Sequence, residues 1–134
     1  MSQKNVHWWL VDIDIAARQL NCYDSCGFTY ASQGFKDGFM DNVLLWMHTA
    51  CTGHQRNSPI AKALVGLDVR HWPAVIHDCN YAQLDDHSCG VYTAQAALHV
   101  ALGLNPKEMA MTDSDALALR EKMALSIVGK EIIF

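Results

Sequence analysis

The 134 residues include 10 basic and 14 acidic side chains, for a formal charge of −4, and about half of them are apolar. That length and apolar content fit one domain with a real core and exclude a disordered chain. No Lys/Arg cluster is present to grip nucleic acid or an anionic membrane, and no apolar run nears the roughly 18–20 residues of a membrane span.

The N-terminal stretch MSQKNVHWW has no charged region followed by an apolar one, so no signal peptide is expected. Five cysteines at irregular spacing (22, 26, 51, 79 and 89) then suggest reduced thiols in the nucleus or cytoplasm rather than a disulfide framework.

In chain order, Val6–Ile15 is rich in β-branched and aromatic residues, and a short connection leads to Leu20–Tyr23, which predicts a β-hairpin. Residues 24–33 are expected to be loop. Phe35, Phe39, Val43, Trp46 and Met47 recur at three- and four-residue steps, predicting a helix that buries this stripe and stops near Thr52-Gly53. Residues 55–72 give no clear pattern. Ala74–His77 reads as a third strand and 80–88 as a polar loop. Ala-rich Cys89–Leu102 predicts a buried helix ending at Gly103. Met109 and Met111 are expected to pack. Thr112, Asp113 and Ser114 are candidate caps for an amphipathic closing helix to Val128, with Leu117, Met123 and Ile127 on its apolar side. Two or three strands and three helices in this order predict an α+β domain, a short antiparallel sheet packed against helices.

Cys89 is expected as the first helical residue, where free N–H groups and the helix dipole stabilise a thiolate and offer donors to an oxyanion. Free cysteine is also among the most buried residue types, so position alone does not make it catalytic. His7 enters the first strand and Asp24 leaves the second. Paired strands place these ends side by side, where a carboxylate can hold an imidazole tautomer. Gln83 precedes Cys89 by six residues and could supply an amide to an oxyanion.

VHWWLVDID (6–14), CYDS (22–25) and DCNYAQLDDHSCGVYTA (78–94) together resemble the ubiquitin-like protease family, the SUMO-deconjugating cysteine peptidases of the papain-like class. In that family an HW pair opens a strand, the acid follows seventeen residues after the histidine, and a glutamine precedes a CG pair by six. Here 24 − 7 is 17 and 89 − 83 is 6. The resemblance implies a papain-like catalytic domain over 1–134 without metal or cofactor. Cys89 would be nucleophile, His7 base, Asp24 its orienting acid and Gln83 an oxyanion donor. Trp8 would line a slot that only glycines enter, and Gly90 would permit close backbone approach. The implied reaction is hydrolysis of a Gly-Gly peptide or isopeptide bond through an acyl-enzyme. The implied partners are SUMO- or NEDD8-type modifiers and their conjugates.

Leu84 stands where the family usually has proline, and Ser88 where aspartate is common. Six residues precede the histidine, whereas family domains carry a substantial portion there, so the N-terminal part is expected to be missing. Two other readings remain open. A weak or inactive fragment would serve as a module that binds ubiquitin-like proteins. His77-x-Cys79 and His87-x-Cys89 could alternatively hold zinc, although their one-residue spacing is tighter than usual.

Overall fold

The computed structural model describes residues 7–26, 33–53 and 57–129, with only the backbone described at 33–35. The chain divides into two units, Met1–Leu10 with Tyr23–Tyr30 and His77–Phe134, and Val11–Cys22 with Ala31–Ile76.

The second unit holds most of a three-stranded sheet. Strands β1 (Leu10–Asp14) and β2 (Gln19–Tyr23) are joined by Ile15–Arg18, a connection so short that it can link only antiparallel neighbours. Asp14 Oδ1 accepts from the Ala17 N–H at 2.8 Å, and Arg18 turns the chain with φ 54°. Across the hairpin, Asn21 Nδ2 donates to Asp12 Oδ2 at 3.0 Å.

The third strand, β3 (Ala74–Ile76), departs from the expected antiparallel sheet. It lies parallel to β2, with Leu20, Asn21 and Cys22 opposite Ala74, Val75 and Ile76. The reason is the connection. Helix α1 (Gln33–Thr52) and helix α2 (Pro59–Ala63) lie between β2 and β3, and a long helical crossover returns the chain in the same direction. Helix α2 falls in the stretch with no clear pattern, although Ser58-Pro59 is a start signal. Ser58 Oγ accepts from the Ala61 N–H, and Pro59 sits where its missing N–H costs nothing.

Helix α1 forms as expected and buries Met47 of the expected stripe, but the rest of its inward face is a different one. Lys36, Met40, Leu44, Met47 and Ala50 are buried, against α2, β3 and a 3₁₀ turn at Val69–His71. Phe39 and Trp46, expected in the core, are 45% and 47% exposed, whereas the Phe35 side chain lies outside the described residues. Two apolar stripes, 39-43-46 and 40-44-47, lie one residue apart, about 100° around the helix. Periodicity fixes the spacing, but the neighbouring elements decide which stripe is covered.

The first unit contains helix α3 (Cys89–Ala101), a 3₁₀ turn at Pro106–Glu108 and helix α4 (Asp113–Gly129). Gly103, at φ 70°, supplies the left-handed residue just beyond the α3 terminus. Tyr81, Val91, Tyr92, Met109, Met111 and Ala116 form the core, with Leu119 and Met123 packed against it. Thr112 caps α4 reciprocally: its Oγ1 accepts from the Asp115 N–H, and Asp115 Oδ2 accepts from the Thr112 N–H. The buried side of α4 runs through Ala116, Leu119 and Met123, so Leu117 and Ile127 face outward, contrary to the expected stripe. No helix among the described residues is long and apolar enough to cross a membrane.

Candidate active site

His7, Trp8, Asp24, Gln83, Cys89 and Gly90 all belong to the first unit. His7 does not begin a strand as expected. It lies three residues ahead of β1 in irregular backbone. Asp24 immediately follows β2. His7 Nε2 and Asp24 Oδ1 are 2.7 Å apart, with the histidine side chain 8% and the aspartate side chain 2% exposed. Asp24 Oδ1 also accepts from the Cys26 N–H at 2.9 Å, so a turn just past the strand fixes the carboxylate. Asp24 engages Nε2, so Nδ1 is the ring nitrogen on the side away from the carboxylate.

Cys89 is the first residue of α3 and is buried, as the sequence predicts. The first N–H groups of any helix have no intrahelical acceptor. Ser88 makes no side-chain cap: its hydroxyl is turned toward Asp85 Oδ2, while its carbonyl accepts from the Val91 and Tyr92 N–H groups, which leaves Cys89 and Gly90 as the residues whose N–H groups Ser88 does not engage. The helix start thus keeps donors for an incoming oxyanion beside the Cys89 sulfur. Trp8 is exposed, and a Cβ built on Gly90 would lie 3.9 Å from its Cδ1, an ordinary contact distance.

Gln83 is buried, and its amide orientation follows from its neighbours. Its Oε1 accepts from Ser25 Oγ at 2.8 Å and from Cys26 Sγ at 3.5 Å, while its Nε2 donates to the Asp85 carbonyl at 2.9 Å and to Asp85 Oδ1 at 3.0 Å. Its backbone N–H donates to the Ser25 carbonyl. In this arrangement Gln83 braces the loop after β2 against the loop before α3, and its amide donors are directed at Asp85.

Asp85 organises that second loop. Besides Gln83 and the Ser88 hydroxyl, it accepts from the His87 and Ser88 N–H groups. Partial burial pushes its carboxyl up, but these hydrogen bonds outweigh it and hold the group at about 2. Asp113 anchors the same loop from α4. Its Oδ2 accepts from the Leu84 and Asp85 N–H groups, and its Oδ1 from Tyr92 OH at 2.8 Å. Burial, reinforced by the Asp113 charge, raises the Tyr92 hydroxyl well above the ordinary tyrosine range. Arg120 Nη2 closes the loop by donating to the His87 carbonyl.

Sequence reasoning missed Ser25, Cys26, Asp85 and the anchoring role of Asp113. Asp85 carried a signal, since an aspartate two and three residues ahead of the N–H groups it binds is an Asx-type turn. The partners of Ser25 and Cys26 are 58 and 57 residues away, and no local pattern reveals them.

The two His-x-Cys pairs sit in unrelated settings. His77 stacks on Tyr23, with ring centroids 4.8 Å apart, and Cys79 Sγ donates to the His77 carbonyl. His87 is exposed beside Asp86. Among the described residues, the group of metal-ligand types that does converge is His7, Asp24 and Cys26.

The model of the Ulp1 protease family, C-terminal catalytic domain, matches residues 1–131. The chain belongs to the Ulp1 protease family. The three strands and four helices among its described residues are consistent with the α+β catalytic domain of that family, whose members are cysteine peptidases acting on ubiquitin-like modifiers. No curated protein and no solved structure matches the chain.

Proposed function

We propose that this Ulp1-family chain hydrolyses the Gly-Gly peptide or isopeptide bond of a ubiquitin-like modifier of the SUMO or NEDD8 type. The observation that carries the reading is the His7–Asp24 pair, held at 2.7 Å by side chains that are largely covered, in the same unit as a helix that opens with Cys89.

Asp24 holds the proton of His7 on Nε2, which leaves Nδ1 as base. His7 takes the Cys89 thiol proton, and the sulfur attacks the terminal glycine carbonyl to form a tetrahedral oxyanion. The N–H groups at the start of α3 stabilise that charge, joined by Gln83 once its Nε2 leaves Asp85. His7 then protonates the departing amine, and water hydrolyses the thioester with His7 again as base. Trp8, exposed next to Gly90, forms one wall of the slot in which residues without side chains fit.

The test is a modifier whose C-terminal glycine carries a vinyl sulfone or aldehyde. A covalent adduct that disappears in Cys89→Ala supports the enzyme. Binding of the modifier without capture would replace it with a non-catalytic recognition module.

A further inference from the structure

His7, Asp24 and Cys26 offer one nitrogen, one oxygen and one sulfur, all within 4.8 Å of one another. The resemblance assigns no role to Cys26. The turn that returns its N–H to Asp24 Oδ1 also brings its sulfur beside the His7–Asp24 pair. Asp24 is 4% exposed and His7 and Cys26 are half-buried, so this is not a group of surface acids. A tetrahedral zinc at its usual distances of about 2.0–2.3 Å separates donor atoms by roughly 3.3–3.8 Å. The His7–Asp24 separation of 2.7 Å would open by about 0.6 Å, and the widest possible separation here, 4.8 Å to the sulfur, would close by about 1.2 Å. An imidazole, a carboxylate and a thiolate favour zinc over magnesium or calcium, which take oxygen ligands.

We propose that His7, Asp24 and Cys26 form an inhibitory zinc site with water in the fourth position. Binding replaces the Cys26 S–H proton, which passes to solvent, with a Zn–S bond, and Cys26 gives up its hydrogen bond to Gln83, while the His7 ring proton moves from Nε2 to Nδ1 so that Nε2 can ligate. It also converts His7 from a base into a ligand, so zinc occupancy and peptide hydrolysis exclude each other. The inhibitory half rests on the proteolytic reading, whereas the binding half does not.

The test uses the full chain, reduced and freed of metal, titrated with Zn²⁺ against a chromogenic chelator and with Co²⁺ as a spectroscopic substitute. The expected result is one metal per chain and a thiolate-to-cobalt charge-transfer band, both retained in Cys89→Ala. Cys26→Ser should lose the band and weaken zinc binding by more than about tenfold, since changes outside the ligand shell already cost 10–100-fold. If Cys26→Ser fails to fold, His7→Gln with all thiols intact should show the same weakening. Unchanged binding in the ligand variants, or a band lost in Cys89→Ala, overturns the site. On a modifier substrate, zinc should stop turnover and chelation restore it, with Cys26→Ser showing less zinc sensitivity relative to its own zinc-free rate. Zinc bound as described with no turnover after chelation would instead refute the proteolytic reading and leave the site standing.

Discussion

Asp85→Asn isolates the charge of the carboxylate that organises the loop before the nucleophile, because asparagine keeps the shape and one accepting oxygen. Asp85 titrates at about 2 in the folded chain against an ordinary value of 3.8. The difference of nearly two units corresponds to about 2.4 kcal/mol. Discounted for solvent screening, since its side chain is 20% exposed, the expected loss at pH 7 is about 1–2 kcal/mol. The sign follows from the direction of the shift. A depressed carboxyl adds stability that is complete above its unfolded value and disappears as pH falls through its folded one. The gap between wild type and Asp85→Asn should therefore be constant above about pH 5, roughly halve by pH 3 and nearly vanish below pH 2. Urea unfolding of both proteins at several pH values measures it. A gap that stays constant from pH 7 to pH 3 would show that the bonds from Ser88, His87 and Gln83 do not depend on the charge, and the account of this loop would fail.

Asp24→Asn should leave the fold intact but lower kcat on a modifier-fused fluorogenic substrate by about 10²–10⁴, because the His7 tautomer is no longer held. An unchanged rate would remove Asp24 from the site. Gly90→Ala should raise stability by about 0.5–1 kcal/mol in thermal unfolding, since α3 gains helix propensity and the new Cβ meets Trp8 Cδ1 at 3.9 Å without a clash. The same variant should raise KM if Trp8 and Gly90 bound the glycine slot. Tyr92→Phe should cost about 1–2 kcal/mol in urea unfolding by deleting the donor to the Asp113 carboxylate, with no change in helix content by circular dichroism.

The sequence was readable where chemistry is local. Caps, glycine stops and the three- and four-residue period placed α1, α3 and α4 within a few residues, because each signal lies inside the element it describes. The approach of His7 to Asp24 was readable for the same reason, although His7 lies ahead of β1 rather than on it: a short turn brings the two flanks of the hairpin together. Facing was not readable. Phe39 and Trp46 lie outside because the elements packed on α1 cover the neighbouring stripe, and the direction of β3 depends on the path of about fifty residues before it. The Ser25–Gln83–Asp85 brace was likewise hidden, since each side chain alone reads as a loop residue facing water.

That brace changes what Gln83 can be expected to do. A glutamine serving only as an oxyanion donor would leave its Nε2 pointing at the substrate, yet here both acceptors on that side belong to Asp85. The same Asp85 draws away the Ser88 hydroxyl that would otherwise cap α3. One carboxylate thus holds the glutamine amide and turns the Ser88 hydroxyl away from the start of the nucleophile's helix. These two effects pull in opposite directions on oxyanion binding. Weakening Asp85 would release Gln83 toward the oxyanion but allow Ser88 to cap the donors at Cys89. The N–H groups are fixed by the helix, whereas the amide must rotate to take part, so preorganisation favours the helix start as the larger contributor. Gln83→Ala should then slow turnover less than Asp24→Asn does, with much of its effect appearing as looser packing of the Ser25 turn.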